Sequence, residues 1–126
     1  MPFPSVGLPG TLTYVSTDDE HLAEYLAEVR QLPMSTVSDE RSELVRAREG
    51  GDEARTRVMQ SHLELAALLA LRLAPDWMSP LDAIQEANIV LAHLVDDGSV
   101  ARPAARLTDA LVAQFAEVSR RLGWDR

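Results

Sequence analysis

Cysteine is absent from the chain and so is lysine, every one of its 12 basic residues being arginine. Without cysteine there can be no disulfide, no thiolate nucleophile and no cysteine-type zinc site. Basic charge is scarce as well, since 20 acidic residues leave a formal net charge of −8. A general nucleic-acid binder needs a basic surface to displace counterions from phosphates. The balance therefore argues against direct DNA contact and points to a basic protein surface as partner. Aromatic residues are only 5% of the sequence against 46% apolar. Leucine and alanine dominate that apolar share, which favours helices over the β-branched and aromatic mixture of strands. No apolar run approaches the ~20 residues that span a bilayer, and Met1–Gly10 lacks the basic start and apolar stretch of a signal peptide. The expectation is a soluble cytoplasmic protein with no membrane contact.

What the sequence does have is punctuation for helices, over 126 residues that suit one domain with its own core. Met1–Gly10 carries three prolines and two glycines, so 1–16 reads as an extended or mobile arm and 17–126 as a helical domain. Thr17 ahead of Asp18, Asp19 and Glu20 is an N-cap signal. It predicts a first helix over Asp18–Gln31, with Leu22, Leu26 and Val29 on one face. After Pro33, Ser38 marks a second start, with Arg41 where a capping box would carry Glu or Gln. Leu44, Val45 and Ala47 give that helix a thin apolar stripe, and Gly50-Gly51 ends it. Asp52 is the predicted cap of a third helix reaching Ala74, apolar on nearly every side and therefore central. Ser79-Pro80 is an N-cap followed by proline at the first helical position, opening a fourth helix from Leu81 to about Val95. A fifth, from Ala104 to Leu122, lines up Leu107, Leu111, Phe115 and Val118, and Gly123 stops it. The fold class is all-α, a single compact bundle of about five helices behind an N-terminal arm.

The fourth helix is the informative one. Leu81, Ile84, Ala87, Leu91, Leu94 and Val95 collect on one side. At about 100° per residue, Asp82, Gln85, Glu86, Ile89 and His93 fall opposite them. An isoleucine ringed by hydrogen-bonding groups suits a partner site with an apolar centre. A solvated face with one stray apolar residue gives the same pattern.

Leu81-Asp-Ala-Ile-Gln-Glu-Ala-Asn-Ile-Val-Leu91 resembles the Leu-Asp-Leu-Ile-Gln-Glu-Gly-Asn-Ile-Gly-Leu stretch of the sigma-seventy family of bacterial RNA polymerase initiation factors, with eight of eleven positions in agreement. Upstream, Gly51-Asp-Glu-Ala-Arg55 with Val58 and Leu63 is similar to the family's Gly-Asp-x-x-Ala-Arg pattern and the apolar positions after it. Tyr25-Leu26-Ala-Glu28-Val29, with Pro33 and Thr36, is similar to its Tyr-Leu-x-Glu-Ile-Gly and Pro-Leu-Leu-Thr. The three stretches keep the family's order and near spacing from Glu20 to about Val95. The resemblance implies the first part of a sigma-factor core domain. It also implies that the segment holding Asp82, Gln85, Glu86 and Asn88 docks on the clamp helices of the β′ subunit of RNA polymerase. Asn88 lies at the flank of the apolar side, so its amide has bracing of the bundle as an alternative role.

The departures fall where the family touches DNA. Ala23 and Ala27 stand where arginines are common, and Glu64 replaces the arginine of an Asn-Leu-Arg-Leu-Val pattern. Beyond Asp97 the family continues into an aromatic, basic helix that captures promoter bases. Here Arg102–Arg126 has only Phe115 and Trp124 as aromatics, and no length for a domain reading the upstream promoter element is expected.

Other candidates are weaker. His21, His62 and His93 would need clustered carboxylates to bind metal, and His62 and Glu64 point different ways on a helix. Trp77 reads as a cover for the end of the bundle or as an anchor for a partner. Arg102, Arg106, Arg120, Arg121 and Arg126 lack aromatic interleaving and read as a solvated face. No catalytic group, metal or cofactor is expected, because no nucleophile, base and orienting group can be assembled. The leading expectation is a sigma-derived transcription regulator that binds RNA polymerase without reading promoter DNA, competing with a sigma factor or working beside one. The alternatives are a self-associating bundle, such as a homodimer, and one half of a split sigma factor completed by a second sigma-like subunit.

Overall fold

In the computed structural model, which describes residues 17–123 with side chains from Asp19 onward, the chain forms α1 (Thr17–Arg30), α2 (Val37–Arg48), α3 (Asp52–Leu73), α4 (Pro80–Asp96) and α5 (Pro103–Arg121). The expected arm, along with Trp124 and Arg126, lies outside the described residues. The all-α, five-helix expectation holds among those described.

Three of the predicted caps move. Thr17, read as the cap of the first helix, is the first helical residue of α1. The start of α2 is capped by Thr36 rather than Ser38: its hydroxyl accepts from the backbone N–H of Asp39 at 3.1 Å. Asp39 then sits in the first turn, where a carboxylate suits the positive end of the helix dipole. Asp52, read as a cap, is instead the first helical residue of α3, and Gly51 holds the cap position without a side chain to offer. Both glycines of the α2–α3 turn are required. Gly50 has φ +98°, in the left-handed region, and a Cβ on Gly51 would come within 2.8 Å of the Arg46 carbonyl oxygen. At α4 the reading from sequence holds: Ser79 caps, its hydroxyl accepting from Asp82 N–H at 3.2 Å, and Pro80 follows.

α3 packs against each of the other four helices. The seam between α3 and α4 draws on small residues that are fully buried in one shared core: Ala66, Ala67 and Ala70 of α3 and Ala83 and Ala87 of α4. Leu91, Leu107, Leu111 and Val58 fill the core around this seam. The expectation that α3 is covered all round is corrected at its C-terminal half, where Leu65, Leu68 and Leu71 stay 37–47% exposed. The reason is the register of α2. It runs antiparallel along α3, with Glu43 opposite Arg57 and Glu40 opposite His62, so it begins near residue 65 and the last turns of α3 lie beyond it.

Polar groups buried in this shell are paired. His62 donates from Nδ1 to the Val58 carbonyl at 2.8 Å. Its Nε2 lies 3.0 Å from the buried Oε2 of Glu40. Glu43, also buried, accepts from Ser35 Oγ at 2.7 Å and from Arg57 Nε at 2.8 Å. Arg48 reaches from α2 to the far end of α4. Its Nε donates to the Val95 carbonyl at 2.9 Å, and its Nη2 to those of Leu94 at 3.2 Å and Val100 at 2.7 Å. Two of the carbonyls left without intrahelical partners at the end of α4 are thereby satisfied, and the α4–α5 loop is fixed to the same guanidinium.

Removing that guanidinium should be felt globally. Arg48→Met is expected to lower unfolding free energy by about 2–3 kcal/mol, the scale of charge-assisted hydrogen bonds left without a donor. A denaturant titration showing a change below ~0.5 kcal/mol would contradict this. The Ser35 hydroxyl first, with Arg57 also contributing, holds the Glu43 carboxyl below the ordinary carboxylate range against the opposing effect of burial. A depressed folded-state value means that the stabilisation is fully present above the unfolded value of about 4 and is lost as pH falls through the folded one. Thermal melts between about pH 6 and about pH 3 should therefore show an acid loss of stability that is smaller in Glu43→Gln. An identical acid limb in the variant would contradict the assignment.

Candidate docking site

The roll of α4 about its axis decides which of its side chains are available. Ala83, Ile84, Ala87, Val90, Leu91, Leu94 and Val95 are buried, so the opposite side turns outward. Asp82, Gln85 and His93 are exposed on it, and Ile89 is 50% exposed among them. This is the apolar centre with a polar surround that the periodicity predicts. Asp82 sits in the first turn, beside the helix's positive end.

The other two predicted site residues are placed differently. Glu86 is half-buried at the edge facing α5, where its Oε1 accepts from Gln114 Nε2 at 2.9 Å. Asn88 is half-buried on the side facing α1, and its Nδ2 donates to the hydroxyl of Tyr25 at 3.2 Å. Its Oδ1 is buried with no hydrogen-bond donor among the described residues. The structure thus gathers Asp82, Gln85 and Ile89 on one open face, sets Glu86 at its border, and gives Asn88 the bracing contact. Tyr25 and Asn88, from two of the three matching stretches, meet here; Arg55, from the third, pairs with Asp96 at the end of α4.

Two adjacent acids, Asp96 and Asp97, stand at that end. Arg55 binds both oxygens of Asp96, at 2.8 and 3.0 Å, and this bond holds the Asp96 carboxyl below the ordinary range. The backbone N–H of Ser99, then its hydroxyl, does the same for Asp97. Between α4 and α5 runs an open groove of about 490 Å³, with Val90, Leu94, Ala110 and Ala113 in its lining and Asp97 and Glu117 among its polar groups. Glu117 is bridged by Arg120 and Arg121 of its own helix. Among the described residues no group of three or more His, Asp or Glu could hold a metal ion. His62 finds its carboxylate in Glu40 of another helix, while Glu64 pairs with Arg30. No helix among the described residues is long and apolar enough to cross a membrane.

The sequence has sigma-factor similarity. The chain is 33% identical over 72 residues to the RNA polymerase sigma factor SigA of a Bacillus species, a match that takes in 57% of this chain and 19% of that protein. The chain thus spans about a fifth of its relative's length. No family profile matches it. The relationship is to sigma factors in general.

Two supporting residues escaped the sequence reading. Gln114 interrupts the apolar side of α5 formed by Leu107, Leu111, Phe115 and Val118, and a polar residue in that row is a signal that it meets another polar group. Arg48 carries no such signal, because its carbonyl partners are fixed only by tertiary structure.

If Ile89 serves a partner rather than the core, Ile89→Gln should change unfolding free energy by less than ~0.5 kcal/mol. Tyr25→Phe, which strips Asn88 of its hydroxyl, should cost about 1 kcal/mol. Chemical denaturation checks both, and a loss above ~1 kcal/mol in Ile89→Gln would return that residue to the packing of the bundle.

Proposed function

We propose that the chain binds RNA polymerase through the outward face of α4, at the β′ clamp helices, and regulates transcription without itself reading promoter DNA. The observation that carries this reading is the half-exposed Ile89, which follows Asp82 and Gln85 and precedes His93 on the outward face of a helix whose other side is used by the core. An apolar centre ringed by carboxylate and amide acceptors is complementary to an arginine-bearing helical partner. The sigma-factor similarity supports the choice of polymerase as that partner. The net charge of −8 and the absence of arginine at Ala23, Ala27 and Glu64 support a role that does not rest on DNA contact. No step of this role calls for catalysis.

The partly exposed Leu65, Leu68 and Leu71 favour a second reading, a self-associating bundle. They lie on α3, so the two readings use different surfaces and can be separated.

The test is binding of the full chain to a recombinant β′ clamp-helix fragment, with and without a competing sigma domain. Saturable, sigma-competed binding is expected, weakened about tenfold or more, or ~1.4 kcal/mol, by Gln85→Ala with Glu86→Ala. Absence of binding at high micromolar concentration, together with a concentration-dependent dimer in sedimentation, would overturn the proposal in favour of the second reading.

A further inference from the structure

Glu86 is a half-buried carboxylate whose partner, among the described residues, is a neutral amide and not a cation: Gln114 of α5 donates to its Oε1 at 2.9 Å. The contrast with its neighbours is informative. Glu117, one turn along α5 from Gln114, is bridged by Arg120 and Arg121. Asp96 is bridged by Arg55, Glu43 by Arg57 and Glu64 by Arg30. Each of those acids has its charge answered within the chain, whereas Glu86 has its orientation set and its charge left intact.

An amide does this and a basic side chain does not. A carboxylate accepts at two oxygens, so one N–H···O bond restricts its rotation and leaves the second oxygen for another donor. An arginine or lysine at the same place would form an internal ion pair, and a partner cation would have to displace it. Gln114 also lines the apolar groove beside Val90 and Ala113, so the amide is held on a packed helix rather than on a mobile loop.

We infer that Gln114 is a positioning residue for docking: it orients the Glu86 carboxylate toward a cationic group of the partner without neutralising it, and so makes α5 part of the recognition surface. This rests on the proposed polymerase reading. It concerns a helix outside the stretch, Glu20 to about Val95, that carries the family resemblance. It also assigns a role to the polar residue that breaks the apolar side of α5.

The test is a double-mutant cycle on the full chain, read as binding to the β′ clamp-helix fragment at several salt concentrations, with thermal melts to confirm that each variant is folded. Gln114→Met keeps the length and removes the donor, and should weaken binding several-fold. Gln114→Arg should weaken it about tenfold or more and flatten its salt dependence, because the Glu86 charge is then answered internally. In a Glu86→Ala background neither change should have a further effect, since coupling through one contact is non-additive. Equal binding by wild type, Gln114→Met and Gln114→Arg would overturn the inference while leaving the docking reading intact. So would effects that persist undiminished in Glu86→Ala. Failure of the wild-type chain to bind the fragment overturns the docking reading itself, and the inference with it.

Discussion

The alanine seam between α3 and α4 is the constraint on which the rest depends. Five fully buried alanines, Ala66, Ala67 and Ala70 of α3 and Ala83 and Ala87 of α4, put small side chains into the shared core on both helices. Close-packed interiors tolerate few voids and little overpacking, so such a seam admits one rotation of α4 about its axis. That rotation turns Asp82, Gln85 and Ile89 outward together. A larger side chain at Ala87 would both open the seam and tilt the face that the proposed partner meets.

Rotation alone does not fix a helix along its length, and arginine does that work in a chain without lysine. Arg48 holds three carbonyls at the end of α4 and in the following loop, and Arg55 grips both oxygens of Asp96. Both uses need several donors in a rigid planar arrangement, which a lysine ammonium does not provide. At the middle of α4, Asn88 ties to Tyr25 of α1 and Glu86 to Gln114 of α5. The polar residues of α4 therefore divide into Asn88, which braces it, Asp82 and Gln85, which are presented, and Glu86 at the border of the face, held in orientation by Gln114.

This division shows what was legible in the sequence. Ser79-Pro80 is a local signal and gave the start of α4 correctly, and helical periodicity separated its buried side from Asp82, Gln85 and Ile89. Periodicity could not rank Glu86 and Asn88, because residues at the border of a face are assigned by whichever neighbouring helix reaches them. The cap of α2 was misplaced by two residues, since Thr36 and Ser38 are both competent caps and the choice between them is tertiary. The exposure of Leu65, Leu68 and Leu71 was not legible either, for it follows from how far α2 extends along α3. The burial of His62 was hidden for a related reason: its carboxylate partner lies on another helix rather than at Glu64.

The proposed docking face and the core are thus two sides of one helix, and the face can be read directly. The most direct measurement is an NMR titration of the labelled full chain with the unlabelled β′ clamp-helix fragment, following backbone amides and the Ile89 methyl groups. The expected result is a contiguous set of perturbed resonances at Asp82, Gln85, Glu86 and Ile89, extending to Gln114, with the α3 leucines unmoved. Perturbation centred on Leu65, Leu68 and Leu71 instead, or none at saturating fragment, would contradict α4 as the docking surface.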